Sequence, residues 1–96
     1  MTDHQFIEWI RSVSDVSMAL ARLREMQQLT LQEVAELSGL SKTYIARLEH
    51  GQRVPERDTL IALLLAAFSL LVPRANRVLL LAGYVPLHHK ALARAA

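Results

Sequence analysis

Side chains able to make or break covalent bonds are few in this chain, and their spacing does not suit that work. It has no cysteine, which removes thiolate nucleophiles, thiolate metal sites and disulfides together. The soft nitrogen ligands are His4, His50, His88 and His89, and the adjacent pair His88–His89 does not aim two rings at one metal from a helix. Ser12, Ser14, Ser17, Ser38, Ser41 and Ser69 lack a His and an Asp at motif spacing, and no glycine-rich phosphate loop occurs. Glu33 and Glu36 read as a solvated acidic stretch. No enzyme, metal or cofactor is therefore expected. What remains is charge-assisted hydrogen bonding by lysine and arginine, the chemistry that suits a polyanion. The formal charge of +2 does not by itself require such a partner. Its distribution is more telling: residues 1–41 carry three basic and six acidic side chains, net −3, and residues 42–96 carry eight and three, net +5. The cationic half begins at Lys42.

The elements that must position these groups are helical. A chain of 96 residues makes one domain. It contains 52% apolar residues at a mean hydropathy of +0.21, so a core is assured and a partner-covered apolar patch is expected. Acidic Asp3 and Glu8 stand where a secretory leader would be positive, and the most apolar run, Leu60 to Val72, is short of the ~20 residues that span a bilayer. A cytoplasmic protein with no membrane partner is expected. No stretch alternates apolar and polar residues as a strand would, so the class is all-α. Apolar positions at steps of three and four run from Phe6 to Met26, with Ser14–Asp15 offering an N-cap and a break near Ser14. Thr30 and Glu33 form a capping box that starts a helix over Leu31 to about Ser38. Gly39 supplies a left-handed turn residue, and Ser41 caps a further helix to about His50, stopped by Gly51. Two short helices joined by a tight glycine turn make a helix-turn-helix. Beyond the loop, an apolar helix is expected from Arg57 to Leu70, with Leu60, Leu63, Leu64, Ala67 and Phe68 on one face, and a last clear helix from Pro73 to Gly83. The tail has helix-forming composition without an N-cap.

The stretch Leu29 to Pro55, LTLQEVAELSGLSKTYIARLEHGQRVP, resembles the helix-turn-helix of the phage Cro and C1 repressor family, also called the xenobiotic-response-element family. Ala35 stands where the two helices touch, Gly39 in the turn, Ile45 in the core of the second helix, and Leu48–Glu49 with Gly51 at its close. The resemblance implies a five-helix, lambda-repressor-like DNA-binding domain with an extra N-terminal helical segment. It divides a single domain of residues 1–96 into an extension 1–14, the helix-turn-helix 30–50, apolar helices 57–83 and a tail 84–96. It also implies a structural ion pair of Arg24 with Glu49. Since Ile45 and Leu48 point inward, Lys42, Thr43, Ala46 and Arg47 are left outside, and the base-contacting residues implied are Lys42, Thr43 and Arg47: arginine bidentate to guanine, lysine to guanine or phosphate, threonine to a thymine. Gln32, Ser41, Tyr44, His50, Gln52 and Arg53 are the implied phosphate contacts. The chain departs from the family pattern at Leu31, where a glutamine phosphate anchor is common, and at Gln28, where glycine is common and glutamine implies a different cap or strain.

The expected function is a sequence-specific regulator, a repressor binding palindromic double-stranded DNA as a homodimer. Dimer candidates are Leu71, Val78, Leu79 and Tyr84, together with Leu70 and Leu81, and Phe6 with Trp9 is a second candidate surface. With no sensing domain in the chain, control is expected through concentration, a partner protein or degradation. The alternatives are an antitoxin-like regulator that also binds a toxin, and a protein-interaction module that has kept the fold.

Overall fold

A computed structural model describes residues 1–88; the expected tail beyond them, His89 included, lies outside the described residues. Six helices follow in order, with no strand among the described residues: α1 (Asp3–Ser12), α2 (Val16–Met26), α3 (Leu31–Ser38), α4 (Lys42–Glu49), α5 (Arg57–Ala62) continued by a π-helical turn (Leu63–Ala67), and α6 (Val72–Leu81). The class is all-α, and α1 is the additional N-terminal helix ahead of a five-helix unit.

Local signals account for most of the boundaries. Thr2 and Gln5 close a capping box at the start of α1, with Thr2 N–H donating to Gln5 Oε1 at 2.8 Å and Gln5 N–H to Thr2 Oγ1 at 3.1 Å. Extended backbone at Val13 ends this helix, and Asp15 Oδ1 accepts from Met18 N–H at 2.9 Å to begin α2. Thr30 and Glu33 form the box of α3 at 3.0 Å in both directions. Gly39, at φ +78°, turns the chain out of α3, and a Cβ there would meet nothing within 4 Å. Backbone conformation, not crowding, is what calls for glycine at that turn.

Three helices end in the same motif, in which the residue after the cap is left-handed and the next N–H returns to the carbonyl five residues back. In α4 this residue is Gly51 (φ +73°), with Gln52 N–H on Arg47 O at 2.9 Å; in α6 it is Gly83 (φ +82°), with Tyr84 N–H on Leu79 O at 2.9 Å. In α2 the corresponding residue is Gln28, at φ +57°, with Leu29 N–H on Arg24 O at 3.1 Å. The glutamine keeps the glycine-type cap and carries its strain. Gln28→Gly should therefore stabilise the fold by about 0.5–1 kcal/mol, the relief of a left-handed side-chain residue less the greater freedom of glycine in the unfolded chain. A urea midpoint at or below that of the parent would contradict this.

The apolar helix after the loop stops earlier than its pattern suggests. It widens into a π turn, with Phe68 N–H reaching Leu63 O at 2.9 Å, and Ser69 follows in a left-handed conformation at φ +52°. Leu70 therefore lies outside the helix. The carbonyl of Phe68 is taken by Gln27 Nε2 at 2.8 Å, which ties the end of this helix to the end of α2.

The core runs through every helix and includes Phe6, Leu20, Leu23, Val34, Ile45, Leu48, Leu60, Leu63, Leu64, Phe68, Val78 and Leu79. Two of the expected dimer residues are thereby corrected: Val78 and Leu79 are each 0% exposed. Helix α6 turns Ala75, Val78 and Leu79 inward, and its outer face carries Pro73, Arg77 and Leu80. A run of leucines does not show which of them is inside, because only the neighbouring helices set that rotation. Leu71 is 70% and Leu80 55% exposed, whereas Leu70 and Leu81 are half-buried. Tyr84 is half-buried, with its hydroxyl donating to Pro55 O at 2.6 Å. The aromatic pair of α1 likewise belongs to the core rather than to a free surface. Phe6 is buried, its ring centroid 5.4 Å from that of half-buried Trp9.

Candidate nucleic-acid interface

The positions of Lys42, Thr43 and Arg47 follow from how α4 is held. Ile45 and Leu48 are 3% and 0% exposed and pack against the face of α3 that buries Val34 and Ala35. With those two side chains fixed inward, 100° per residue leaves Lys42, Thr43 and Arg47 exposed and Ala46 half-buried beside them. Ser41 Oγ accepts from Tyr44 N–H at 3.1 Å and so starts the helix. Among the described residues none of Lys42, Arg47 and Arg53 is in an ion pair. The face thus presents cationic donors and a hydroxyl on a rigid helix of about 12 Å (eight residues at ~1.5 Å each), short enough to lie in a major groove.

Arg24 fixes the far end of this helix. Its Nε donates to Glu49 Oε2 at 2.7 Å and its Nη2 to Glu49 Oε1 at 2.9 Å, while Nη1 donates to Leu29 O at 3.0 Å. One guanidinium therefore joins α2, the last turn of α4 and the segment that leads into α3. The side chains are 20% and 9% exposed, so the pair is largely withdrawn from water. The hydrogen bonds to Glu49 raise the pKa of Arg24 above its ordinary value, against the opposing effect of burial. A raised folded pKa means that the stabilisation from Arg24 is fully present below the unfolded value and fades only in strong alkali, so it is constant across the neutral range.

The remaining contacts implied by the resemblance are placed unevenly. Gln52 and Arg53 are exposed in the loop after α4. His50 is exposed at the end of α4 with Nδ1 2.7 Å from Ala46 O; since that carbonyl only accepts, Nδ1 carries the proton and Nε2 is the nitrogen left for other contacts. Gln32 is exposed, but its amide donates to Glu36 Oε1 at 3.2 Å along α3, so an acid competes for the group that would meet a phosphate. Tyr44 is half-buried against the core, and so is Leu31.

Sequence reasoning did not find three side chains that bridge separate segments: Gln27 on Phe68 O, Arg74 on Asp3 of α1, and Asn76, which grips Leu87 with Oδ1 accepting at 2.6 Å and Nδ2 donating to the carbonyl at 2.9 Å. Each joins residues far apart in the chain, and no local pattern marks them. No group of three or more metal-binding side chains is assembled among the described residues. No helix among them is long and apolar enough to cross a membrane.

Comparison with known proteins agrees with this geometry over its central part. Residues 20–66, from α2 through most of the π turn, match the family model described as helix-turn-helix. Neither the curated proteins nor the solved structures yield a match. Over residues 20–66 the chain is therefore similar to the Cro/C1-type helix-turn-helix, a DNA-binding domain characteristic of transcription regulators.

Proposed function

We propose that the chain, a single domain by its length, is a sequence-specific repressor that binds a palindromic operator as a homodimer, with one α4 in each of two successive major grooves. The observation that carries this reading is the rotation of α4: burial of Ile45 and Leu48 turns Lys42 and Thr43, at the start of the helix, and Arg47, in its last turn, outward together. Arg47 reads a guanine through O6 and N7, Lys42 a guanine or a phosphate, and Thr43 a thymine methyl. Gln52, Arg53 and His50 supply phosphate contacts from the helix end and the loop, with Ser41 and Tyr44 at the start of α4. The longest extent of the molecule, 34 Å, is close to the ~34–36 Å between half-sites, so two copies abreast reach both grooves with their flanks in contact. For that contact the exposed leucines Leu71 and Leu80 replace the buried Val78 and Leu79.

Gel shifts on a random-sequence DNA pool test the reading. Arg47→Ala should lose about 1–3 kcal/mol of binding and relax preference at one base pair, while Arg53→Ala weakens binding to all sequences equally and lowers the salt slope by about one. Unchanged binding in Arg47→Ala, or no binding by the parent, would favour the protein-interaction module instead. For the dimer, Leu71→Glu with Leu80→Glu should give a folded monomer by sedimentation, with operator binding weakened at least tenfold. A double variant that stays dimeric would move the interface elsewhere.

A further inference from the structure

We propose that the cleft between α1 and α6 binds a small monocarboxylate with an apolar body, taken by Arg74 and Arg77, and that Asp3 is the internal carboxylate it displaces. This inference does not depend on the DNA reading. The cleft has a volume of about 190 Å³ and is lined by Asp3, Phe6, Ile7, Pro73, Arg74 and Arg77. An engineered apolar cavity of about 150 Å³ takes benzene, and drug-sized ligands need about 300 Å³ or more, so the fit here is to one ring or a short branched chain.

Its chemistry is that of an anion site only partly satisfied from within. The Arg74 guanidinium lies over the Phe6 ring, 5.3 Å from the centroid, where the negative face of the π system holds the cation on an apolar floor. Arg74 Nε and Nη2 both donate to the same oxygen, Asp3 Oδ1, at 3.0 and 2.8 Å, and Nη2 also donates to Met1 O at 2.9 Å. The fork of a guanidinium matches a carboxylate best when each donor has its own oxygen, and Asp3 does not offer that. Moreover, the Asp3 side chain is 83% exposed against 23% for Arg74. An ion pair with so exposed an acid contributes little, so exchanging it for another carboxylate costs little. Arg77, three residues along the same helix, lines the cleft and is in no ion pair among the described residues. Ile7 and Pro73 supply the walls for the apolar body.

Titration of the 15N-labelled protein with sodium benzoate, followed by amide shifts, tests the proposal against benzamide and against sodium chloride at matched ionic strength. Benzoate should saturate with a Kd on the order of 1 mM, moving residues of α1 and of the first turns of α6, while benzamide and chloride do not. Asp3→Asn removes the internal competitor and should tighten benzoate at least threefold; Arg77→Gln should weaken it about tenfold. Both positions are exposed, so both variants keep the fold, checked by circular dichroism. Shifts that do not saturate, equal shifts with chloride or benzamide, or an unchanged Kd in either variant would overturn the proposal.

Discussion

Arg24→Ala should destabilise the protein by about 3 kcal/mol or more, lowering the Tm by at least about 12 °C for a domain of this size. The substitution leaves the Glu49 carboxylate, 9% exposed, without either of its two guanidinium donors, and leaves Leu29 O without its donor at 3.0 Å. A buried charge stranded in this way costs more than the intact pair ever contributed, because the pair had already met its desolvation cost. Arg24→Lys should recover only part of the loss, since one ammonium does not span both carboxylate oxygens and a carbonyl. Glu49→Gln should lie between: it keeps the shape but leaves Arg24 charged, and at 20% exposure that arginine still reaches some water. Thermal melts of the three variants check the order. A Tm for Arg24→Ala within 2 °C of the parent would mean that the pair does not hold α4 to α2. A functional readout accompanies the structural one, for a loosened α4 should bind all DNA sequences more weakly without changing which base pairs it prefers.

Phe6→Ala should cost about 3–5 kcal/mol, although Phe6 lies outside the matched segment 20–66. Its ring is 1% exposed, faces Trp9 at 5.4 Å and lies beneath the Arg74 guanidinium. Truncation removes a large apolar contact at the junction of α1 and α6, and with it an aromatic pair contributing about 0.5–1.5 kcal/mol. If α1 and residues 20–66 form one cooperative unit, the urea midpoint of the whole protein falls and the m-value stays constant. If α1 were an independent arm, its amides alone would lose protection from hydrogen exchange while the midpoint of the rest held. The measurement therefore decides whether the additional helix is part of the folding unit.

Some of this was legible residue by residue. Thr30 with Glu33, Gly39 and Ser41 each act within one turn of their own position, so their types alone predict two helices and the bend between them. Ile45 and Leu48 at a spacing of three likewise predict which face of α4 turns inward. Gln28 was readable as a departure, but only the backbone shows that the chain keeps the left-handed cap and accepts the strain. Leu79 and Leu80 were not separable: both are leucine in an apolar helix, yet one is fully buried and the other half in water.

What the amino-acid sequence determined by itself is the all-α class, the helix-turn-helix and the identity of the outward groups on α4, because capping, turn conformation and helical periodicity are properties of neighbouring residues. The tertiary structure alone decided the rotation of α6, the seating of the N-terminal aromatics in the core, the π turn and the union of Arg74 with Asp3 across 71 positions. The physical reason is the same in each case. Packing between segments distant in the chain chooses among faces that local propensity leaves equivalent, and a side chain reaching across the fold carries no mark of its partner in its own neighbourhood.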